Sequence, residues 1–237
     1  MIYWPLVFAW LATIVLVSLP LTWLMPFRRF QLRLPVPMVA RLLWFAGARV
    51  EVTHAPGFTP PGPYVYVQNH VSMLDVAVVA RVIPGLVCGI ENAAHYRVPL
   101  YGWLMRQSGG IAVHPKRSGQ TAAVLEQARQ RVALGFSVLV FPEAHRTLDG
   151  KLRTFHRGGF VMARALGLPV VPVAVRGLRK VLPKGTWIVR PGRVEVFIGE
   201  PIATKGLSDA ALDEVMAQVR ATLARWVEGD ARGDATA

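Results

Sequence analysis

Short β-type runs alternate with helical patterns along most of this chain, and that alternation restricts the folds open to it. Strand-like runs fall at 48–53, 64–67, 86–90, 111–113, 137–141, 170–175, 187–190 and 194–198. Between several of them the apolar residues switch to helical spacing. Residues 119–134 carry Ala122, Val124, Leu125, Ala128 and Val132, with Gly135 following as a C-terminal stop. Residues 159–166 repeat the pattern and end at Gly167 and Pro169. The last segment, 209–227, is N-capped by Ser208 and places Asp213 and Glu214 near its positive end. Such alternation predicts an α/β fold: a mixed, partly parallel sheet flanked by helices. There is no internal repeat and no long low-complexity linker. A chain of 237 residues is long enough for one full core and an appendage.

The appendage lies at the start. Residues 1–27 contain no charged side chain, and 6–25 supply a nearly continuous apolar run around Pro5 and Pro20. About 20 apolar residues suffice to cross the hydrocarbon layer. No basic region precedes the run, so it does not read as a secretory signal. Arg28, Arg29 and Arg33 follow it, and positive flanks favour the cytoplasmic side. A second apolar stretch, 38–50, holds Trp44 and Phe45 with Arg41 and Arg49 on its polar side, which suits a helix lying in the interface. A span plus an interfacial helix fits, and so does a shallow two-helix hairpin in one leaflet. The expected organisation is an N-terminal membrane-embedded helical anchor at 1–35, a main domain at 36–228 and a tail at 229–237, held at the cell (inner) membrane with the domain on its cytoplasmic side.

The high apolar share (53%) and the mean hydropathy of +0.37 agree with that reading. The net charge is +13 and the pI about 11. Nucleic acid, anionic lipid or an acidic protein could match it. No nucleic-acid-binding signature is present, so a phospholipid bilayer is the expected partner, each well-placed cation adding ~1 kcal/mol of attraction. A lone cysteine, Cys88, excludes an intramolecular disulfide and reads as a small core residue. The six histidines are dispersed and none shows a metal-binding i, i+4 spacing, so neither metal nor cofactor is expected.

Two local patterns carry chemistry. The first is Gln68-Asn69-His70-Val71-Ser72-Met73-Leu74-Asp75, directly after a β-type run. A histidine held by a carboxylate makes a general base near neutral pH, because the carboxylate fixes the tautomer. Positions five apart sit about 140° apart on a regular helix. His70 and Asp75 therefore meet only if His70 lies in the strand-to-helix turn or first helical turn, with Asp75 reaching back. The second pattern is Phe141-Pro142-Glu143-Ala144-His145-Arg146, where proline stops a buried strand at the edge on which α/β proteins bind ligands.

Together these blocks resemble the glycerolipid acyltransferase family, which includes 1-acylglycerol-3-phosphate acyltransferase. Its Asn-His-x4-Asp matches Asn69-His70-x4-Asp75, and its Phe-Pro-Glu-Gly-Thr-Arg is similar to 141–146. Between them, Gly109-Gly110-Ile111-Ala112-Val113-His114 is similar to the family's glycine-isoleucine block, and Val171-Pro172-Val173-Ala174-Val175 looks like its fourth, apolar block. Two departures stand out. The Gly-Thr of the third block is Ala144-His145 here. The arginine slot after the second block holds Pro115, with Lys116 and Arg117 just beyond.

The resemblance implies transfer of an acyl group from acyl-CoA or acyl carrier protein to a lysophospholipid hydroxyl, most simply 1-acylglycerol-3-phosphate giving phosphatidic acid. His70 and Asp75 would be the catalytic base and its orienting group. Arg146 offers a planar fork for a phosphate, Glu143 would hold that fork or bond a glycerol hydroxyl, and Arg157, Lys116 and Arg117 would add cations. Gly-x-Ser-x-Gly is absent, which argues against a serine nucleophile. Two alternatives remain: an acyltransferase for another lysolipid, such as lyso-ornithine lipid, and a non-catalytic lipid-binding membrane protein.

Overall fold

The computed structural model describes residues 3–21, 35–60, 62–99, 101–114 and 119–229. The arginine flank at 28–33, the Lys116-Arg117 pair and the tail beyond Gly229 lie outside them. Among the described residues seven strands form one sheet: β1 (Ala48–His54), β2 (Val65–Gln68), β3 (Leu86–Asn92), β4 (Ile111–Val113), β5 (Phe136–Val140), β6 (Val170–Arg176) and β7 (Gly192–Ile198), in the order β1-β7-β6-β2-β5-β3-β4. Every neighbouring pair is parallel except β6–β7. The sheet is therefore mixed and partly parallel.

Burial explains the order. Every residue of β2 and β5, and all of β6 but its last, is buried, as expected of strands covered on both faces. Strand β1 is largely exposed and carries Arg49 and Glu51, which suits an edge. Alternate residues of the central strands feed two cores. Tyr66, Leu139, Val171, Val173 and Val175 face one layer with α3 (Asp75–Val82), α2 (Pro35–Phe45) and part of α1 (Tyr3–Leu21). Val65, Val67, Val138, Val140 and Val170 face the other, made by α5 (Thr121–Ala133), α6 (Gly158–Leu166) and α8 (Asp209–Glu228). Trp226 of α8 stacks on Phe197 of β7, rings 4.5 Å apart.

Among the described residues no helix is long and apolar enough to cross a membrane, so the expected span is not found there. Helix α1 lies against the domain. Ile14 is fully buried with Met38 of α2, the Trp10 indole donates to the Met38 carbonyl at 2.8 Å, and Trp4 packs edge-on against Trp187. Its other side leaves Leu6, Phe8, Leu16 and Val17 exposed, and Trp44 of α2 is 76% exposed.

Three expectations change in detail. The apolar stretch 38–50 is split by Gly47 at φ +64° into the end of α2 and the start of β1. Residues 187–190 form no strand: Trp187 gives its carbonyl to Trp4, and Arg190 N–H bonds the Val181 carbonyl. A 3₁₀ turn (Ala93–Arg97) and α4 (Tyr101–Gln107) fill the β3–β4 crossover, where no helical pattern had been read.

Strand β6 passes to α7 (Leu178–Val181) through Gly177, at φ +85°. A Cβ there would meet the Arg193 carbonyl oxygen at 2.2 Å. We expect Gly177→Ala to lose at least ~1–2 kcal/mol from left-handed strain alone. At roughly 2–4 °C per kcal/mol for a chain this size, a thermal melt should fall by several degrees. An unchanged Tm would show that this crossing tolerates a side chain.

Candidate active site

Strands β2 and β5 are parallel neighbours, so the loops leaving their C-terminal ends abut. His70 lies in the β2–α3 turn and Asp75 is the first residue of α3. That is the placement the five-residue spacing requires. His70 Nδ1 stands 2.7 Å from Asp75 Oδ2. The same oxygen accepts the backbone N–H groups of Val71 and Ser72, both at 2.9 Å, and Oδ1 accepts Gln68 Nε2 at 3.3 Å. Asp75 is fully buried, whereas the His70 side chain is 23% exposed. A carboxylate acceptor on Nδ1 requires the proton there, which leaves the Nε2 lone pair free to accept a proton.

The Phe141-Pro142-Glu143 loop completes the mount. The Phe141 ring lies under the imidazole, centroids 4.0 Å apart and nearly parallel. Glu143 is buried, its Oε1 accepting His70 N–H and its Oε2 accepting Arg153 N–H, each at 2.9 Å. Burial holds its carboxyl above the usual range, and those two N–H groups pull it part of the way back. Both oxygens are therefore occupied by backbone. Among the described residues Glu143 forms no ion pair with Arg146, and its two backbone bonds make it a strut beneath His70. Asn69 locks the same turn to β6: its Nδ2 donates to the Val175 carbonyl at 2.9 Å and its Oδ1 accepts Val175 N–H at 2.8 Å.

The remaining expected residues separate. Arg146 is half-buried in the loop next to His70, because Thr147 N–H bonds the His70 carbonyl at 2.9 Å. Arg157 is turned elsewhere. Its Nη2 donates to the Asp209 carbonyl at 2.9 Å, and its Nε lies 2.7 Å from Asp213 Oδ1, a close charge contact without hydrogen-bond alignment. Arg157 thus fastens α8; together with Arg164 it holds the Asp209 carboxyl below the usual range. Ser72 is fully buried and donates to the Leu182 carbonyl at 2.9 Å. Burial pushes the Cys88 thiol up to about 12, which removes it as a nucleophile.

Some contributors carried no role in the sequence reading. Gln68 and Asn69 were visible as polar residues closing an apolar strand. Lys184, whose Nζ donates to the Arg146 carbonyl at 3.1 Å, gave no local signal. Ala144 sits at φ +58°, so the loop keeps a left-handed residue where the family's block has glycine.

A parallel-centred α/β sheet with a histidine–carboxylate pair at its C-terminal edge, backed by a proline-stopped acidic loop, defines an acyltransferase-type site. Residues 49–176 match the family described as Acyltransferase. The chain belongs to that acyltransferase family. It is 30% identical over 200 residues to human 1-acyl-sn-glycerol-3-phosphate acyltransferase alpha, covering 83% of this chain and 71% of the relative. It is 30% identical over 185 residues to the 1-acyl-sn-glycerol-3-phosphate acyltransferase of Pseudomonas aeruginosa, covering 77% and 68%. The crystal structure of the 1-acyl-sn-glycerophosphate (LPA) acyltransferase PlsC from Thermotoga maritima superposes with a TM-score of 0.77 at 25% identity, over 94% of this chain and 92% of that one.

Three outcomes follow. His70→Ala should cut turnover by ~10²–10⁴-fold with little change in Tm, since the ring is partly exposed. Asp75→Asn should lose activity and also ~1–3 kcal/mol of stability, because an amide turns a donor toward buried N–H groups; paired melts and rate assays separate the two. Ala144→Gly should raise stability by up to ~1 kcal/mol, since glycine relieves the left-handed strain while adding unfolded-chain entropy. A drop in Tm for that variant would contradict the strain.

Proposed function

We propose that this acyltransferase esterifies the free hydroxyl of 1-acylglycerol-3-phosphate to give phosphatidic acid, with acyl-CoA or acyl carrier protein as the acyl donor. The observation that carries the reading is the 2.7 Å His70–Asp75 pair, mounted beside a loop that bears Arg146. His70 Nε2 takes the acceptor's hydroxyl proton as its oxygen attacks the thioester carbonyl. When the carbon–sulfur bond breaks, the imidazolium returns the proton to the departing thiolate. No acyl-enzyme is required, which agrees with the buried, carbonyl-bound Ser72. A lysolipid and its product reside in membranes. The exposed apolar side of α1, with Trp44 and Trp187, supports docking of these helices into the cytoplasmic leaflet of the inner membrane.

Arg146 is the residue assigned to the headgroup. A charge-assisted contact is worth ~1.5–3 kcal/mol, or about 10- to 150-fold. Arg146→Ala should raise the KM for lysophosphatidic acid by that order and leave the donor KM nearly unchanged. Arg146→Lys should recover part of the loss, because an ammonium keeps the charge without the planar fork. The assay is thiol release with full-length protein in mixed micelles, comparing lysophosphatidic acid with lyso-ornithine lipid. An equal KM rise on both acceptors, or none, would overturn the phosphate assignment and favour the zwitterionic one.

A further inference from the structure

The peptide unit joining Arg146 to Thr147 is a junction between the catalytic turn and a distant cation. Its N–H, on Thr147, donates to the His70 carbonyl at 2.9 Å, and its carbonyl, on Arg146, accepts from Lys184 Nζ at 3.1 Å. A peptide unit is planar and stiff, so Lys184 stands one rigid plane away from the backbone of the base. The segment carrying Lys184 is itself well anchored. Leu178, Val181 and Leu182 are buried, the Leu182 carbonyl accepts the Ser72 hydroxyl at 2.9 Å, and Arg179 donates to the Leu148 carbonyl at 3.1 Å. Residues 178–184 therefore grip both catalytic loops at once.

The charge of Lys184 is not neutralised there. Its hydrogen-bond partner is a carbonyl, and among the described residues no carboxylate forms an ion pair with Lys184 or with Arg146. The two buried acids of this site are already engaged: Asp75 by His70, Gln68 and two amides, Glu143 by two amides. An ammonium has three donors, so a half-buried lysine with one carbonyl partner keeps donors for an incoming group. A phosphate monoester carries about −1.5 to −2 charges at neutral pH, more than a single arginine neutralises.

We propose that Lys184 is the second cation of the acceptor's phosphate subsite, acting beside Arg146 and holding the peptide from which Arg146 projects. This rests on the acceptor being a lysophosphatidate. A lysine that only braced the loop would serve equally well as any neutral donor, and that difference decides the test. Lys184→Gln keeps an N–H for the Arg146 carbonyl but removes the charge; Lys184→Arg keeps the charge. With full-length protein in mixed micelles, the Gln variant should raise the KM for lysophosphatidic acid about tenfold or more, with kcat, donor KM and Tm close to wild type. The Arg variant should lie within a few-fold of wild type. A Gln variant with wild-type KM, or Gln and Arg variants that lose kcat and Tm alike, would reduce Lys184 to a structural brace and overturn the proposal. Wild-type protein that turns over lyso-ornithine lipid but not lysophosphatidic acid would instead remove the acceptor reading, and this inference with it.

Discussion

The site depends on one buried carboxylate. Asp75 is fully enclosed, yet the His70 ring, two turn amides and the Gln68 side chain all point donors at it. An enclosed carboxylate without such partners would be severely penalised. The turn can close only in the conformation that supplies them, and that conformation leaves His70 Nε2 as the outward nitrogen. Orientation of the base and folding of the β2–α3 turn are thus one event. The same carboxylate opens α3, where the helix's positive end favours a negative group.

Much of the sheet was legible because buried parallel strands leave a plain signature. The apolar runs at β2, β5 and β6 are short, rich in β-branched residues and closed by turn residues, and they read as buried strands. The run at 187–190 looked similar, but apolar residues alone do not make a strand; its backbone bonds go to α1 and α7. The short helix of the β3–β4 crossover was missed because seven residues hold too little periodicity to read.

Within the site, the His70–Asp75 pair was legible because both members sit in one turn. The bracing by Glu143 was not legible, since its partners are backbone N–H groups that leave no mark in a sequence. The partners of Arg157 were hidden for a related reason. Its local context reads as a basic loop, while the carboxylates that claim it, Asp209 and Asp213, lie at the start of a helix more than fifty residues on. Lys184 is the converse, a cation made relevant only by the chain's return across the top of the sheet.

The distribution of paired charges gives the +13 balance a local meaning. On the β1–β7 side, Arg176 and Arg193 are matched with Glu195 and Glu51, and at the start of α8, Arg157 and Arg164 are matched with Asp209 and Asp213. Those cations contribute little field of their own, and exposed pairs contribute little stability either. Around the catalytic turn the pattern reverses. Arg146, Lys184 and Arg179 contact carbonyls or carry no ion-pair partner among the described residues, and Glu143 is turned to two backbone donors. Arg146 and Lys184 therefore leave uncompensated positive charge where β2 and β5 end. An anionic substrate arriving along a membrane surface would meet that field within about one Debye length, ~8–10 Å at moderate salt. His70 lies one backbone hydrogen bond from the Arg146 loop, through Thr147 N–H at 2.9 Å.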